Sequence, residues 1–331
     1  MLNWLYGTTP VPKVTRKYGW NHNETLSEEE ETKFTYKVMN YHPNLGAVKE
    51  VDLRNTHIEV YDQGQLGSCT SNGWCYCYEF EMLKQNEEYI QMSRLMHYYN
   101  ERVLNNTVET DSGAQIKDGA DVLMKKGMTI ESLWPYVIEK FAENPPQNCW
   151  DDMQYHMGTK VERVKKTIKD IKQCLIDGYP VVFGFRVYES FEETGADGIV
   201  KIPDVKKEKL LGGHCVVCVG FKMINDKEYF IIRNSWSSSW ADHGFCYFPT
   251  EFMVSTSGIF GRQELCSDFW TVKKVCDVPD PNVVETDEQK LEHVKKMIGV
   301  NSSNNDLFEL CNGIKSLVSK VELKKSKTTS V

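Results

Sequence analysis

The feature that most constrains the fold of this chain is a change of hydrophobic pattern at the Pro-rich break from Asn144 to Gln147. Before the break, aromatic and apolar residues recur mainly at helical spacings, whereas short apolar runs between turn formers follow it. The predicted helices cover residues 70–84, 93–103, 114–126 and 168–176, and the predicted strands cover residues 180–185, 215–221 and 229–233. The chain is therefore predicted to be an α+β protein with a helical lobe and a sheet lobe.

The length of 331 residues fits about two domains or lobes. Both ends look like appendages, because the first is polar with an acidic run and the last is rich in Lys, Ser and Thr. We expect a core at residues 49–276, with the helical lobe at about 60–145 and the sheet lobe at about 160–270. An N-terminal segment, 1–48, and a C-terminal extension, 277–331, which is partly helical and then flexible, flank this core.

Composition excludes several classes of protein. With 39 basic and 47 acidic residues the net charge is −8, which argues against binding to nucleic acid through phosphate neutralisation. A hydrophobic fraction of 40% supplies a real core, so the chain is not disordered throughout. The 11 cysteines are an odd number, so at least one is unpaired and a fully bridged secreted scaffold is disfavoured.

The N-terminal residues show no basic region followed by an apolar run, so no signal peptide is predicted. No stretch approaches the roughly 18 apolar residues of a membrane span. We therefore expect a monomer that is intracellular or packaged in a virion, with no membrane or nucleic-acid partner.

The candidate nucleophile is Cys69, which follows Gly67-Ser68 and opens a predicted helix. The free N–H groups and positive dipole of a helix N-terminus favour a thiolate there. A thiolate nucleophile needs an imidazole to move protons. His214 is the best candidate among the 8 histidines, because Gly212-Gly213 before it would leave the ring approachable.

Three further residues fit the same chemistry. Asn234 ends the next predicted strand, so its side chain can orient the ring of His214, and Trp236 can shield that hydrogen bond from water. Gln63 precedes Cys69 closely enough for its amide to form an oxyanion hole with the backbone N–H of Cys69. Each residue alone also has a plain structural reading, and only the combination favours catalysis. No cysteine or histidine pair has convincing zinc spacing, so no metal or cofactor is expected.

Three motifs carry a family resemblance. Gln63 to Cys69 resembles Q-x-x-x-x-G/S-C, His214 to Phe221 resembles H-A-V-x-x-V-G-Y, and Asn234 to Trp240 resembles N-S-W-G-x-x-W. The spacing from Cys69 to His214 fits the roughly 130–150 residues of papain-like enzymes, and Asn234 lies somewhat beyond it. Over about residues 50–270 the chain resembles the papain-like cysteine proteases, closest to the bacterial and large-DNA-virus branch with cathepsin B-like enzymes.

This resemblance implies a papain-like α+β fold, with a helical left lobe, an antiparallel β-barrel-like right lobe and the active site in the cleft between them. It implies a cysteine peptidase that works through a thioester, with Cys69 as nucleophile, His214 as general acid and base, Asn234 as orienter and Gln63 as oxyanion donor. Gly213 would line the pocket for the residue two before the cut. The substrate-binding residues that the resemblance implies are Ser112, Gly113, Gly213, Trp236 and Trp240.

The resemblance also bears on residues 1–48, because the segment before the mature start of such enzymes is often a propeptide that blocks the cleft. Here it is either an inhibitory segment, which would make the chain a zymogen, or a permanent structural arm. The expected partner is a peptide or protein substrate. The alternative function is a catalytically silent peptide-binding or scaffold protein that retains the fold. Leu66 stands where papain has a disulfide cysteine, and Thr70 replaces the usual aromatic residue after the nucleophile.

Overall fold

The computed structural model describes residues 16–22, 47–255 and 264–277. They belong to a compact unit that ends at Val278. Most of the predicted N-terminal segment lies outside the described residues, and so does the predicted C-terminal extension apart from Asp277. The boundaries assigned to these two appendages therefore stay predictions.

The helical lobe is built around one helix that is buried on all sides. Helix α1, Cys69–Lys84, is enclosed from Cys69 to Met82, because it packs against other helices on one side and against strands on the other. The other helices of this lobe are α2 (Arg94–Leu104), α3 (Ile116–Lys125) and α4 (Gln147–Asp152). Ser93 begins α2 by accepting a hydrogen bond from the Met96 N–H at 3.1 Å, as a helix N-cap does.

The second lobe is a sheet with antiparallel pairing. Its strands are β1 (Val51–Asp52), β2 (His156–Arg163), β3 (Val181–Tyr188), β4 (Leu210–Ile224), β5 (Lys227–Arg233), β6 (Phe245–Pro249) and β7 (Cys266–Asp277). Among the described residues the strand order is β2-β7-β3-β4-β5-β6, with β1 paired to β4. Three short or medium helices accompany it, namely α5 (Ile168–Ile176), α6 (Glu189–Glu192) and α7 (Thr250–Met253).

The sheet separates two hydrophobic cores. Along β3, Val182 packs into the core that contains α1, whereas Phe183 and Phe185 pack into the core on the opposite face. Successive side chains of a strand point to opposite faces, so a strand that is apolar throughout is covered on both sides. The predicted α+β class, with helices first and sheet second, is confirmed.

Strand β4 extends further than the sequence pattern indicated. The strand was predicted from Cys215, and in the structure it begins at Leu210. The added residues include Gly212 and Gly213, which have no apolar side chain and therefore leave no hydrophobic signal. As a result, His214 lies within a paired strand rather than at its edge, opposite Phe185 of β3.

Two features are absent from residues 16–22, 47–255 and 264–277. No helix there is long and apolar enough to cross a membrane. In the same residues, no three His, Cys, Asp or Glu side chains are grouped as the ligands of a metal ion would be.

Candidate active site

The candidate nucleophile and the candidate base lie on different lobes. Cys69 is the first residue of α1, directly after the N-cap Ser68, and it is fully buried. His214 lies in β4, and Asn234 follows the last residue of β5. Because β4 and β5 pair as an antiparallel hairpin, Asn234 comes back alongside His214.

A buried hydrogen bond joins the histidine and the asparagine. The His214 Nε2 atom lies 2.8 Å from Asn234 Oδ1. This oxygen also accepts a bond from the Ser235 N–H at 2.8 Å, which fixes the orientation of the amide. Because Oδ1 can only accept, Nε2 carries the proton and Nδ1 presents a lone pair. Nδ1 has no hydrogen-bond partner among the described residues.

Trp236 covers this pair. Its ring stacks on the imidazole of His214 at 5.0 Å between centroids and an interplanar angle of 25°. Trp240 packs edge-on against Trp236 at 5.2 Å. The two indoles keep water from the bond between His214 and Asn234, so Trp240 acts here as a support for Trp236.

Gln63 bridges the two lobes at the same place. Its Oε1 accepts a hydrogen bond from the Ser235 hydroxyl at 2.7 Å, and its Nε2 donates to the Leu66 carbonyl at 2.9 Å. Nε2 also donates to the carbonyl of Lys17 at 3.2 Å. The amide of Gln63 is thus held rigidly, with one donor directed at a backbone carbonyl from near the N-terminus.

That carbonyl belongs to the cleft segment, residues 16–22, which lies over the site. Tyr18 packs edge-on against the ring of His214 at 6.2 Å, and Arg16 lies over the ring of Trp236 at 4.8 Å. Gly19 touches Gly67, where an added Cβ on Gly19 would lie 1.7 Å from the Gly67 carbonyl oxygen. The segment therefore covers the site from the tryptophan shield to the N-terminus of α1.

The cleft segment is bonded to the cleft walls like a short strand. Its hydrogen bonds run from Trp20 N–H to the Gly213 carbonyl at 3.0 Å, from Ala114 N–H to the Gly19 carbonyl at 2.8 Å, from Asn21 N–H to the Ala114 carbonyl at 2.9 Å, and from the Asn21 side chain to the Ser112 carbonyl at 3.1 Å. Ser112 and Gly213 thus contact the segment through their carbonyls. The N–H of Gly113 donates to the Tyr98 hydroxyl at 2.9 Å, and the N–H of Ala114 is the one that bonds to the segment.

The match to known families is specific. The family model described as "Papain family cysteine protease" matches residues 47–259. The chain belongs to the papain family of cysteine proteases. This assignment makes the chain a hydrolase of the protease class and confirms the resemblance drawn from the motifs.

Individual relatives of this papain-family protease include viral, eukaryotic and bacterial proteins. An uncharacterized peptidase C1-like protein of Acanthamoeba polyphaga mimivirus is 38% identical over 70% of this chain and 76% of its own length. Cathepsin B of Dictyostelium discoideum is 27% identical over 56% of this chain and 63% of its own length. The crystal structure of xylellain, a cysteine protease from Xylella fastidiosa, matches with a TM-score of 0.68 at 32% identity, over 78% of this chain and 97% of that one. The papain-like fold is therefore confirmed.

Burial dominates the electrostatics of this papain-family site. Burial raises the pKa of the Cys69 thiol to about 12, although the backbone N–H groups of Cys215 and Gly19 lower it. Burial lowers the pKa of His214 to about 4, although its bond to Asn234 raises it. At neutral pH both groups are uncharged while the segment is in place. Sequence reasoning expected a thiolate at the helix N-terminus, and in this covered state desolvation outweighs the dipole.

The sequence analysis of this protease missed a second group of residues beside the site. Thr70 donates a hydrogen bond to the fully buried Glu101 at 2.7 Å, directly next to the nucleophile. Burial raises the pKa of Glu101 well above its usual range. The polar residue after Cys69, where the family usually has an aromatic one, was the available signal.

A further group of residues surrounds Trp20, namely Ala114, Gly184 and Asp268. They left no comparable signal in the sequence, because their positions around Trp20 depend on tertiary contacts.

Proposed function

We propose that this protease hydrolyses peptide bonds with Cys69 as nucleophile, His214 as general acid and base, Asn234 as the residue that orients the imidazole, and Gln63 as oxyanion donor. The observation that carries the proposal is the buried bond of 2.8 Å between His214 and Asn234, under Trp236, which leaves Nδ1 of the ring free to exchange a proton. A side-chain pair that served only stability would not need an unpartnered ring nitrogen in a cleft.

In the proposed reaction, the Cys69 thiol gives its proton to His214 and the sulfur attacks the carbonyl carbon of the scissile bond. The resulting oxyanion accepts hydrogen bonds from Gln63 Nε2 and from the backbone N–H of Cys69. The C–N bond then breaks as His214 donates its proton to the leaving amine, which leaves a thioester on Cys69. A water molecule, deprotonated by His214, hydrolyses the thioester and releases the acid.

We further propose that the chain in this state is latent and that the cleft segment is its inhibitor. The segment takes the donor of Gln63 with the Lys17 carbonyl and fills the space in front of Cys69 with Gly19. A substrate must run from the Gly213 pocket towards Cys69 in the N-to-C direction. Along the segment, Gly19 lies in front of Cys69 and the next residue, Trp20, lies at the pocket. The segment therefore runs in the direction opposite to that of a substrate. None of its peptide bonds is presented to Cys69 in the orientation that a substrate would have.

The test is thiol-dependent hydrolysis. Purified protein is incubated with reductant, any new N-terminus is sequenced, and hydrolysis of peptide–coumarin substrates is followed. We expect activity, and we expect Cys69→Ala to abolish both hydrolysis and labelling by an epoxide thiol inhibitor. Cys75→Ala, in the same helix and equally buried, is the matched control that keeps activity. Unchanged hydrolysis in Cys69→Ala would rule the proposal out.

The same test addresses the alternative, a silent peptide-binding protein. The covered cleft is compatible with it, because both reactive groups are neutral and buried. The decisive sample is protein whose cleft segment has been displaced, as shown by ready alkylation of Cys69. If this protein binds peptides without hydrolysing them, the alternative is favoured.

A further inference from the structure

A second thiol, Cys215, stands beside the nucleophile at a position where the family motif has alanine. The motif H-A-V-x-x-V-G-Y places its alanine at Cys215, the residue after His214. The backbone N–H of Cys215 donates a hydrogen bond to the sulfur of Cys69. Because the N and Cβ atoms of a residue are both bonded to its Cα, the Cys215 side chain begins within a few ångströms of that sulfur.

The Cys215 side chain points towards the helix that begins with Cys69. Successive side chains of a strand alternate between faces, so Cys215 packs into the core that contains α1, whereas His214 packs against aromatic rings of the other face. A Cβ atom built on Gly73, about one helical turn after Cys69, would lie 3.3 Å from Cys215 Sγ and 2.9 Å from Val182. Glycine inside a helix is less stable than alanine, and here its missing side chain makes room for the thiol.

The other described cysteines near the nucleophile are not placed to react with it. Cys75 and Cys77 follow Cys69 by six and eight residues in α1, so they lie about 9 and 12 Å further along the helix axis. A disulfide joins Cα atoms that are at most about 7 Å apart. Cys218 packs into the core on the opposite face of the sheet. Cys215 is therefore the candidate partner of Cys69.

The two thiols differ in reactivity. Cys69 lies at a helix N-terminus, which favours a thiolate once the site is open to solvent. Burial raises the pKa of the Cys215 thiol well above its usual range, and the nearby Cys69 raises it further. Oxidants attack thiolates in preference to thiols, so Cys69 reacts first and Cys215 stays reduced until its neighbour is oxidised.

We infer that Cys69 and Cys215 form a reversible disulfide when the uncovered enzyme meets a hydroperoxide, and that Cys215 thereby protects the nucleophile from irreversible oxidation. The inference rests on the proposed function, because it concerns the same nucleophile in its active state. Cys69 is fully buried while the cleft segment covers it. The latent chain is therefore spared, and the reaction acts on the open form.

The oxidation proceeds in two steps. The Cys69 sulfur attacks one oxygen of hydrogen peroxide, the O–O bond breaks, and Cys69 becomes a sulfenic acid while one water leaves. The Cys215 sulfur then attacks the Cys69 sulfur, the S–OH bond breaks, and the thiol proton leaves with the hydroxyl group as a second water. Peroxide is reduced by two electrons, and the two thiols are oxidised to one disulfide. A dithiol reductant restores both thiols by exchange and is itself oxidised to a disulfide.

The first experiment maps the bond. Reduced full-length protein is treated with hydrogen peroxide until Cys69 of a Cys215→Ala variant, treated in parallel, is fully oxidised, so that access to the nucleophile is assured. Free thiols are then blocked, and peptides are identified by mass spectrometry without reductant. We expect a peptide pair that links Cys69 to Cys215 in the parent. In Cys215→Ala, Cys69 should appear as sulfinic or sulfonic acid, and Cys215→Ser repeats the test with a side chain of closer size.

The second experiment measures recovery. Peptide hydrolysis is measured before peroxide, after peroxide and after dithiothreitol, and each protein is compared with its own starting activity. The parent should recover nearly all of its activity, whereas Cys215→Ala should recover at least about fivefold less. Cys218→Ala, fully buried in the same strand, is the matched control and should recover as the parent does.

The outcomes separate the two proposals. If peptides are hydrolysed but peroxide oxidises Cys69 to the acid equally in the parent and in Cys215→Ala, or links Cys69 to another cysteine, the inference is overturned and the proposed function stands. If the linked peptide pair forms but no peptide is hydrolysed before peroxide, the proposed function fails and the thiol pair stands. Recovery is then followed by alkylation of Cys69 with iodoacetamide, and equal recovery in the parent and in Cys215→Ala would overturn the inference.

Discussion

Gln63 joins recognition of the cleft segment to the chemistry of the site. The donor that holds the Lys17 carbonyl is the one that we assign to the oxyanion, and the Ser235 hydroxyl fixes its direction from the other lobe. A donor that is preorganised in this way stabilises charge without rearrangement during the reaction. Because Gln63 Nε2 is held in this direction, it can also donate to the Lys17 carbonyl while the segment covers the cleft.

The oxyanion role predicts a specific loss. Gln63→Ala should lower kcat by roughly 10²–10³, because one of two oxyanion donors is removed while the nucleophile and base remain. Gln147→Ala, at an exposed glutamine bonded only locally to Asp151, should leave kcat unchanged. The measurement is steady-state hydrolysis of one peptide substrate by each variant. A loss below about threefold would exclude Gln63 from the oxyanion site.

Glu79 predicts a pH dependence of stability. This carboxyl group in α1 is fully buried and accepts a bond from the Met92 N–H at 2.9 Å, and burial raises its pKa from 4.5 to about 7. Between those values the folded protein holds a proton that the unfolded chain releases, so Glu79 makes stability fall as pH rises from 4.5 to 7. The contribution is lost fully above that window.

Replacing the carboxyl group tests this dependence. Glu79→Gln keeps the acceptor for Met92 and cannot ionise, so its free energy of unfolding should fall less over that window, by up to about 3 kcal/mol. Urea unfolding at several pH values measures the difference. Glu88→Gln, at an exposed glutamate, is the control and should keep the parent's pH dependence. A parallel pH profile for Glu79→Gln would contradict the assignment.

At the scale of elements, the contact between the cleft segment and α1 depends on two glycines. Gly19→Ala would place a methyl group 1.7 Å from the Gly67 carbonyl, so the segment must lift from the N-terminus of α1. Overpacking of this kind typically costs 1–3 kcal/mol, so alkylation of Cys69 by iodoacetamide at neutral pH should become about tenfold faster or more.

The control for this substitution is also a glycine. Gly195→Ala meets only the Asp197 carboxylate, at 3.5 Å, and should leave the alkylation rate unchanged. Circular dichroism of both variants checks that the fold is intact. If Gly19→Ala folds and its Cys69 stays as unreactive as in the parent, the segment does not control access to the nucleophile.

Sequence patterns predicted most of the helices and strands, but they did not predict how the cleft segment is placed. Helix α1 and α5 were predicted to within one residue, because their apolar spacing is strong and Gly178 ends α5. The motif residues Gln63, Cys69, His214 and Asn234 were predicted on their order along the chain. The resemblance predicted that residues 1–48 are either an inhibitory segment or a structural arm, but it did not predict which of them lie in the cleft. Residues 16–22 carry no periodicity and owe their position to cleft walls made of glycine and backbone carbonyls.

At the scale of the whole molecule, the described core is held together without disulfides. The nine cysteines whose side chains are described are all free and buried. Two hydrophobic cores on opposite faces of the sheet supply the stability instead. The odd cysteine count that disfavoured a bridged scaffold therefore agrees with a core in which the thiols pack as small apolar groups.

Because the described thiols are free, we expect a reductant to affect the activity of the protein but not its stability. Dithiothreitol should change the melting temperature by less than about 2 °C, whereas loss of even one disulfide would lower it by several degrees. The same reductant should restore hydrolysis to an oxidised sample, because Cys69 must be a free thiol. The measurements are thermal unfolding and peptide hydrolysis on one sample, and a large fall in melting temperature would show a disulfide.

In the latent state that we propose, the cleft segment is covalently attached to the protein that it blocks, through residues 23–46. Closure is therefore a unimolecular event, and its extent does not depend on protein concentration, so dilution cannot activate the enzyme. A competing peptide must overcome the effective local concentration that this covalent attachment gives the segment. Once that connection is severed, the segment becomes an ordinary ligand with a finite dissociation constant, and dilution then drives it off. One backbone cut would thus convert a concentration-independent block into a reversible one.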